Sequence, residues 1–187
     1  VYELARHYQL NITEKQDQFK IICKRSLCNS FVTNWSSALS DTTSNPLLRT
    51  YRRFKTNFNM EPYLYLVKEI HYRIAISRLR ASSHTLAIER GRYNTPKTPV
   101  EQRLCTVCKK VEDEQHFITS CLINEKERVK MYSKITKFYP PFPMLNDNEK
   151  FLYMLQSDNR AVLTWLGKFL YHSFKIRNEF YIRNVLL

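Results

Sequence analysis

Glycine occurs only twice in this chain, at Gly91 and Gly167, and proline seven times. Hairpin-rich sheets depend on glycine-bearing turns, so this scarcity argues against an all-β protein and for a helical one. No apolar run of about 18 residues is present, so no ordinary membrane-spanning helix is expected, and nothing resembles a signal peptide. The chain opens on Val1 rather than methionine and reads as a fragment of something longer. Cysteine is sparse and odd in number, five in all, which does not suit a disulfide framework. The expected setting is a reducing one, intracellular and either nuclear or cytoplasmic, with no membrane partner.

Acidic residues are also in short supply. Seventeen Asp and Glu face 30 Lys and Arg, a net charge of +13, and the excess is uneven. Between Pro46 and Lys110 there are 14 basic and four acidic residues. Tyr51, Phe54, Phe58, Tyr63, Tyr65, Tyr72 and Tyr93 are interleaved with them. Cations alternating with aromatics suit a phosphate-binding surface with some base-stacking capacity. Arg49, Arg52, Arg53, Lys55, Arg73, Arg80, Arg90, Arg92, Arg103, Lys109 and Lys110 are the candidate nucleic-acid contacts. The plainer reading is a solvated basic face. Arg73 and Arg80 share a strip of one helix, where they either pair with acidic neighbours or point at phosphate.

Cys105, Cys108, His116 and Cys121 spell C-x2-C-x7-H-x4-C within CTVCKKVEDEQHFITSC. That spacing suits a tetrahedral Zn2+ held by three thiolates and one imidazole, a closed structural site with no position left for a reacting water. The alternative is three small buried cysteines and a hydrogen-bonded core histidine. Residues five apart on an ideal helix lie about 140° apart. A helix carrying His116 must therefore stop or bend near Cys121 for both to reach one ion. Glu112, Asp113 and Glu114 suit the acidic first turn of that helix. Cys23 and Cys28, also five apart, are expected as ordinary core residues.

The fold class expected is mainly α, a helical domain with an inserted small zinc knuckle. Four segments follow: an N-terminal helical segment over 1–45, a basic helical segment over 46–100, the knuckle over 101–125, and C-terminal helices over 126–187. Helices are expected near Val1 to Gln9 and from Thr13 to Leu39, the second built on Phe19, Ile22, Cys23, Leu27, Phe31 and Trp35. The run SDTTSNP (Ser40 to Pro46) is a linker. Leu48 to Phe58 is a short basic helix or an irregular arm. Pro62 to Arg80 reads as one helix, with Tyr63, Val67, Ile70 and Ile74 on one apolar stripe and Tyr65, Tyr72, Ile76 and Leu79 on another. Leu86 to Glu89 adds a turn that Gly91 ends. Leu122 to Phe138 should point Ile123, Val129, Tyr132 and Ile135 inward, and prolines 140, 141 and 143 stop it. The last two helices, Asp147 to Gln156 and Asp158 to Val185, each open on an Asp suited to capping.

RLRASSHTLAIERGRY (Arg78 to Tyr93), followed by TPVEQRLCTVC and EDEQHFITSC, resembles the C-terminal region of non-LTR retrotransposon reverse transcriptases. In that family a block of the form R-x-S-S-H-x-L-A-I-E-x-G-R precedes a Cys-Cys-His-Cys knuckle. YRRFKTNFNMEPYL (Tyr51 to Leu64) and the segment around Trp35 resemble it too. The resemblance implies a role beyond the polymerase thumb, with the knuckle and the basic helices before it engaging template RNA or target DNA. It implies Cys105, Cys108, His116 and Cys121 as zinc ligands. Ser83, His84, Glu89 and Arg92 fall on block positions with no assigned role, and His84 reads as a hydrogen-bonded structural histidine.

The Y-x-D-D motif of the polymerase is missing, and no nuclease-like carboxylate set can be assembled, because Asp147, Glu149 and Asp158 fall at helix starts. The expectation is a zinc-dependent nucleic-acid-binding module, non-catalytic by itself, whose partners are RNA or DNA and the remainder of a reverse transcriptase. Neutralising six or so phosphates would give a log–log salt slope of roughly −5. The competing expectation is a zinc-stapled protein-docking segment, or a degenerate transposon remnant.

Overall fold

In the computed structural model, which describes residues 16–185, the apolar-periodic stretches form helices joined by short irregular loops. The protein is mainly helical, with no strand among the described residues. It divides into two units, residues 1–46 and 47–187. No described helix is long and apolar enough to cross a membrane.

In the first unit α1 spans Gln16–Ser40. The helix expected near Val1 to Gln9 lies outside the described residues. Asp41 ends α1 by accepting the backbone N–H groups of Thr43 and Ser44 at 3.0 and 2.9 Å, the local turn that SDTTSNP favours. Contrary to expectation, Cys28 is exposed and Cys23 only half-buried. Leu27 and Phe31 are exposed as well. Periodicity identifies which residues share a side of a helix, not whether that side is covered.

The second unit contains α2 (Tyr51–Phe54), α3 (Tyr63–Leu66), α4 (Ile70–Arg80), α5 (Ala87–Arg90), α6 (Glu114–Thr119), α7 (Glu125–Ile135), α8 (Asp147–Gln156) and α9 (Arg160–Val185). The long α9 packs against α4 and α7, while α2 and α6 lie on α8. Ile76 and Leu79 of α4, Phe117 and Ile118 of α6, Met131 and Ile135 of α7, Phe151 and Met154 of α8, and Leu166 and Leu170 of α9 meet in one core.

Three expectations need correction here. Pro62 to Arg80 is not one helix: Val67 and Glu69 are extended, with ψ of 118° and 115°. Val67 is fully buried, so the chain leaves the helix to seat it. The break resets the helical phase and leaves Ile70 and Ile74 exposed. In α7 the inward residues are Arg128, Met131 and Ile135, whereas Val129 faces out. The last two helices are capped by asparagine, one residue before each expected Asp or one after it. Asn146 forms a full capping box with Glu149, and Asn159 accepts from Ala161 and Val162 at 2.9 and 3.3 Å.

Both glycines mark close approaches. Gly91 keeps an ordinary φ of −63° at the end of α5, but a Cβ there would lie 2.7 Å from the Arg103 side chain. At Gly167 a Cβ would meet the Tyr72 Cβ at 2.7 Å and Ile76 Cδ1 at 3.2 Å, so this glycine sets how closely α9 crosses α4. Gly167→Ala gains about 1 kcal/mol of helix propensity and incurs roughly 1–3 kcal/mol of overpacking. The expected balance is a lower melting temperature, and a rise in a thermal melt would show that α4 yields freely.

Candidate metal centre

Residues 104–111 form a tight turn. Leu104 and Val111 bridge in antiparallel fashion. The Cys105 N–H donates to the Lys110 carbonyl at 2.8 Å and the Lys109 N–H returns to the Cys105 carbonyl at 2.9 Å. Lys109 closes the turn with a left-handed φ of 55°. Asp113 then caps α6, its side chain accepting the His116 N–H at 2.8 Å. His116 thus rides on the first turns of a six-residue helix. The helix stops at Ser120, and Cys121 is extended with ψ of 124°. This is the termination that the five-residue spacing requires.

The ligand atoms of Cys105, Cys108, His116 and Cys121 all lie within 4.8 Å of one another. Cys105 and Cys121 sulfurs are 3.9 Å apart, far beyond a disulfide bond of about 2.05 Å. They match instead the edge of about 3.8 Å that a tetrahedron with metal–sulfur bonds of about 2.3 Å would have. His116 Nδ1 faces the Ser120 hydroxyl at 3.2 Å, while its Nε2 is buried without a hydrogen-bond partner. An orphaned ring nitrogen aimed at three sulfurs, with the other nitrogen held by a hydroxyl, is the arrangement of a metal-ligating histidine. Leu122 donates its N–H to the Cys108 sulfur at 3.3 Å. Pairing with Cys121 holds the Cys105 thiol well below its ordinary pKa against the opposing effect of burial, and the neighbouring His116 side chain adds to the lowering. The same pairing, with burial, pushes Cys121 up. The two sulfurs compete for one proton, a conflict that a cation would relieve. The cluster can hold a metal ion.

The acidic run beside the cluster is more than a helix start. Glu112 is fully buried and receives Arg177 of α9 in a bidentate pair, Nε to Oε1 and Nη2 to Oε2, each 2.6 Å. Its Oε2 also accepts the Ala87 N–H at 2.7 Å. Arg177 lies 4.2 Å from the Tyr181 ring centroid. Glu114, also buried, receives Arg49 at 2.5 Å and His84 Nε2 at 3.0 Å. Burial pushes the Glu114 carboxyl up, but the His84 hydrogen bond and the Arg49 charge outweigh it and hold the group down at about 2. Ser82 ends α4 in a left-handed conformation, φ 53°, and brings its hydroxyl to 3.4 Å from Glu114. Glu89 pairs with Arg92 at 2.7 Å and Arg49 at 3.6 Å. Within the block Ser82 to Arg92, Ser82 and His84 are thus held against Glu114, and Glu89 against Arg92 and Arg49.

Of the eleven candidate cations, Arg53, Arg90, Lys109 and Lys110 are exposed. Arg80 is buried, stacked over Phe54 at 4.0 Å, bonded to the Leu155 carbonyl at 2.6 Å and ion-paired with Glu61. Arg103 is buried too, donating to the carbonyls of Ile88 and Thr98 at 2.6 and 2.9 Å. Lys55 pairs with Glu61 at 2.8 Å. Arg73 is half-buried, 3.3 Å from the Leu64 carbonyl, and Arg52, like Arg49 and Arg92, is half-buried. Charge density along a sequence marks cations without showing which of them carry an internal load. Arg177 and Glu112 are the buried ion pair beside the cluster that sequence reading missed. The available signal was an arginine on the core-facing stripe of α9, in line with Leu166, Leu170, Ser173 and Tyr181, where only a buried partner makes a charge tolerable.

Comparison with protein-family models, with curated proteins and with solved structures gives no match for the chain.

Proposed function

We propose that this chain is a zinc-stapled nucleic-acid-binding module, equivalent to the C-terminal region of a non-LTR retrotransposon reverse transcriptase, without catalytic activity of its own. The observation that carries the reading is the convergence of Cys105, Cys108, His116 and Cys121 to within 4.8 Å at a turn whose closing residues, Lys109 and Lys110, are both exposed. The four side chains would hold Zn2+, and the ion's contribution is a cross-link between the Cys105–Cys108 turn and α6. Lys109 and Lys110 would then stand at fixed positions against phosphate. RNA or DNA and the rest of a polymerase are the partners this implies.

A fluorescence-anisotropy titration of zinc-loaded protein against single-stranded RNA, single-stranded DNA and duplex DNA tests the reading. Binding is expected to be salt-sensitive and lost on chelation. With four exposed cations among the candidates, Arg53, Arg90, Lys109 and Lys110, the log–log slope is expected near −3 rather than −5, at about 0.7 to 0.9 per phosphate. A flat salt response, or no binding by folded zinc-loaded protein, would move the assignment to protein docking.

A further inference from the structure

Away from the metal cluster, α7 and α9 enclose a groove of about 500 Å³, within the range of ligand-sized clefts. Its floor is apolar, made by the buried Met131 and Phe169. Its rim is cationic. Lys130 and Lys134 stand one turn apart on α7, and Lys168 and His172 one turn apart on α9. Glu127, the one acid in the lining, is paired with Lys130 at 2.7 Å. That leaves Lys134 and Lys168, whose ammonium groups both rest over the half-buried Trp165 ring, 5.6 and 4.9 Å from its centroid.

We propose that this groove takes one unpaired base of a single-stranded nucleic acid, stacked on Trp165, with the flanking phosphates on Lys134 and Lys168. The inference rests on the nucleic-acid reading above and names a second contact region for it. In the free protein each ammonium uses the indole face as a weak counter-charge. An incoming base offers that face a larger flat surface, and the displaced ammonium groups find phosphate one backbone step away. Every base has a π-face, so binding here should tolerate sequence. A base still paired inside a duplex has no free face, so duplex should be a poor ligand. An acidic peptide would use the lysines but gives no reason for the ring between them.

The chain has two tryptophans, so Trp35→Phe leaves Trp165 as the reporter. Zinc-loaded Trp35→Phe protein is titrated with single-stranded RNA and DNA oligonucleotides, an abasic strand of equal length, duplex DNA and poly-glutamate. Saturable quenching of Trp165 by the single strands is expected, with little from the abasic strand or duplex. Lys134→Gln/Lys168→Gln, which leaves the core untouched, is expected to lower single-strand affinity about tenfold or more, as is Trp165→Leu. Trp165→Phe should lose less. Quenching by poly-glutamate equal to that by oligonucleotide would overturn the proposal and assign the groove to acidic proteins. Wild-type binding with no quenching, and unchanged affinity in the double lysine variant, would overturn it while leaving the nucleic-acid reading intact. No binding of any strand by folded wild-type protein would overturn both.

Discussion

With Zn2+ in the Cys3His cluster as proposed, its chelation, or replacement of Cys105 with serine, is expected to unfold the second unit and not merely loosen the segment around the cluster. Zinc contributes about 10–16 kcal/mol to small structural sites, whereas a whole domain has only about 5–15 kcal/mol of net stability. In a larger protein the loss stays local only if the segment that holds the metal is peripheral, and the segment around this cluster is not. His116 is followed directly by Phe117 and Ile118, both fully buried in the shared core. Each is worth about 1.5–3 kcal/mol of burial. Arg128 of α7 donates to the Cys121 carbonyl at 2.8 Å, so the knuckle also anchors the helix that follows. Circular dichroism melts with and without chelator should show a large drop in the transition. Readdition of zinc should restore the wild-type chain, and Cys105→Ser should resemble the chelated state. Superimposable melts would mean that the four side chains hold together without a metal. Because the cysteine thiols must shed their protons to bind zinc, retention should also weaken as pH falls.

Replacing Glu112 with alanine is expected to cost about 3–5 kcal/mol, since it takes the carboxylate partner from a buried guanidinium. Arg177→Met should cost a comparable amount for the converse reason. The informative variant combines the changes. Glu112→Leu with Arg177→Met removes both charges, and such replacements are often neutral or favourable by about 1–4 kcal/mol. Recovery should nevertheless be partial, because Glu112 also accepts the Ala87 N–H at 2.7 Å, and losing that partner costs about 1–3 kcal/mol. Urea titrations of the three variants give these differences directly. A Glu112→Ala midpoint shift worth less than about 1 kcal/mol would mean that water reaches the pair.

The helical class was legible because two glycines and a 3.6-residue apolar rhythm leave little room for sheet, and the Cys3His cluster was legible because its spacing is local. Both properties are carried by neighbours in sequence. Tertiary pairing was the hidden part. Glu112 and Arg177 are 65 residues apart, and a carboxylate beside two others reads as a helix start until its burial is known. Arg80 and Arg103 counted as surface charge for the same reason. The groove between α7 and α9 is a further case: Lys130 and Lys134 mark one helix face, Trp165, Lys168 and His172 another, and only packing brings the two faces together. Val67 shows the limit of periodicity itself, since one residue drawn into the core interrupts a helix whose pattern runs on without a gap.

The second unit begins mechanically where it begins in sequence. Arg49 grips Glu114, and Arg53 of α2 reaches Gln115 at 2.5 Å and Asn148 at 2.7 Å. Tension drawn along the chain through residues 46–48 would therefore pass across these two arginines into α6, at the two residues before His116, and into α8 at Asn148, before it reached α4. The segment that carries the Cys3His cluster is then early on that load path, and the grip of Arg49 on Glu114 is its coupling pin.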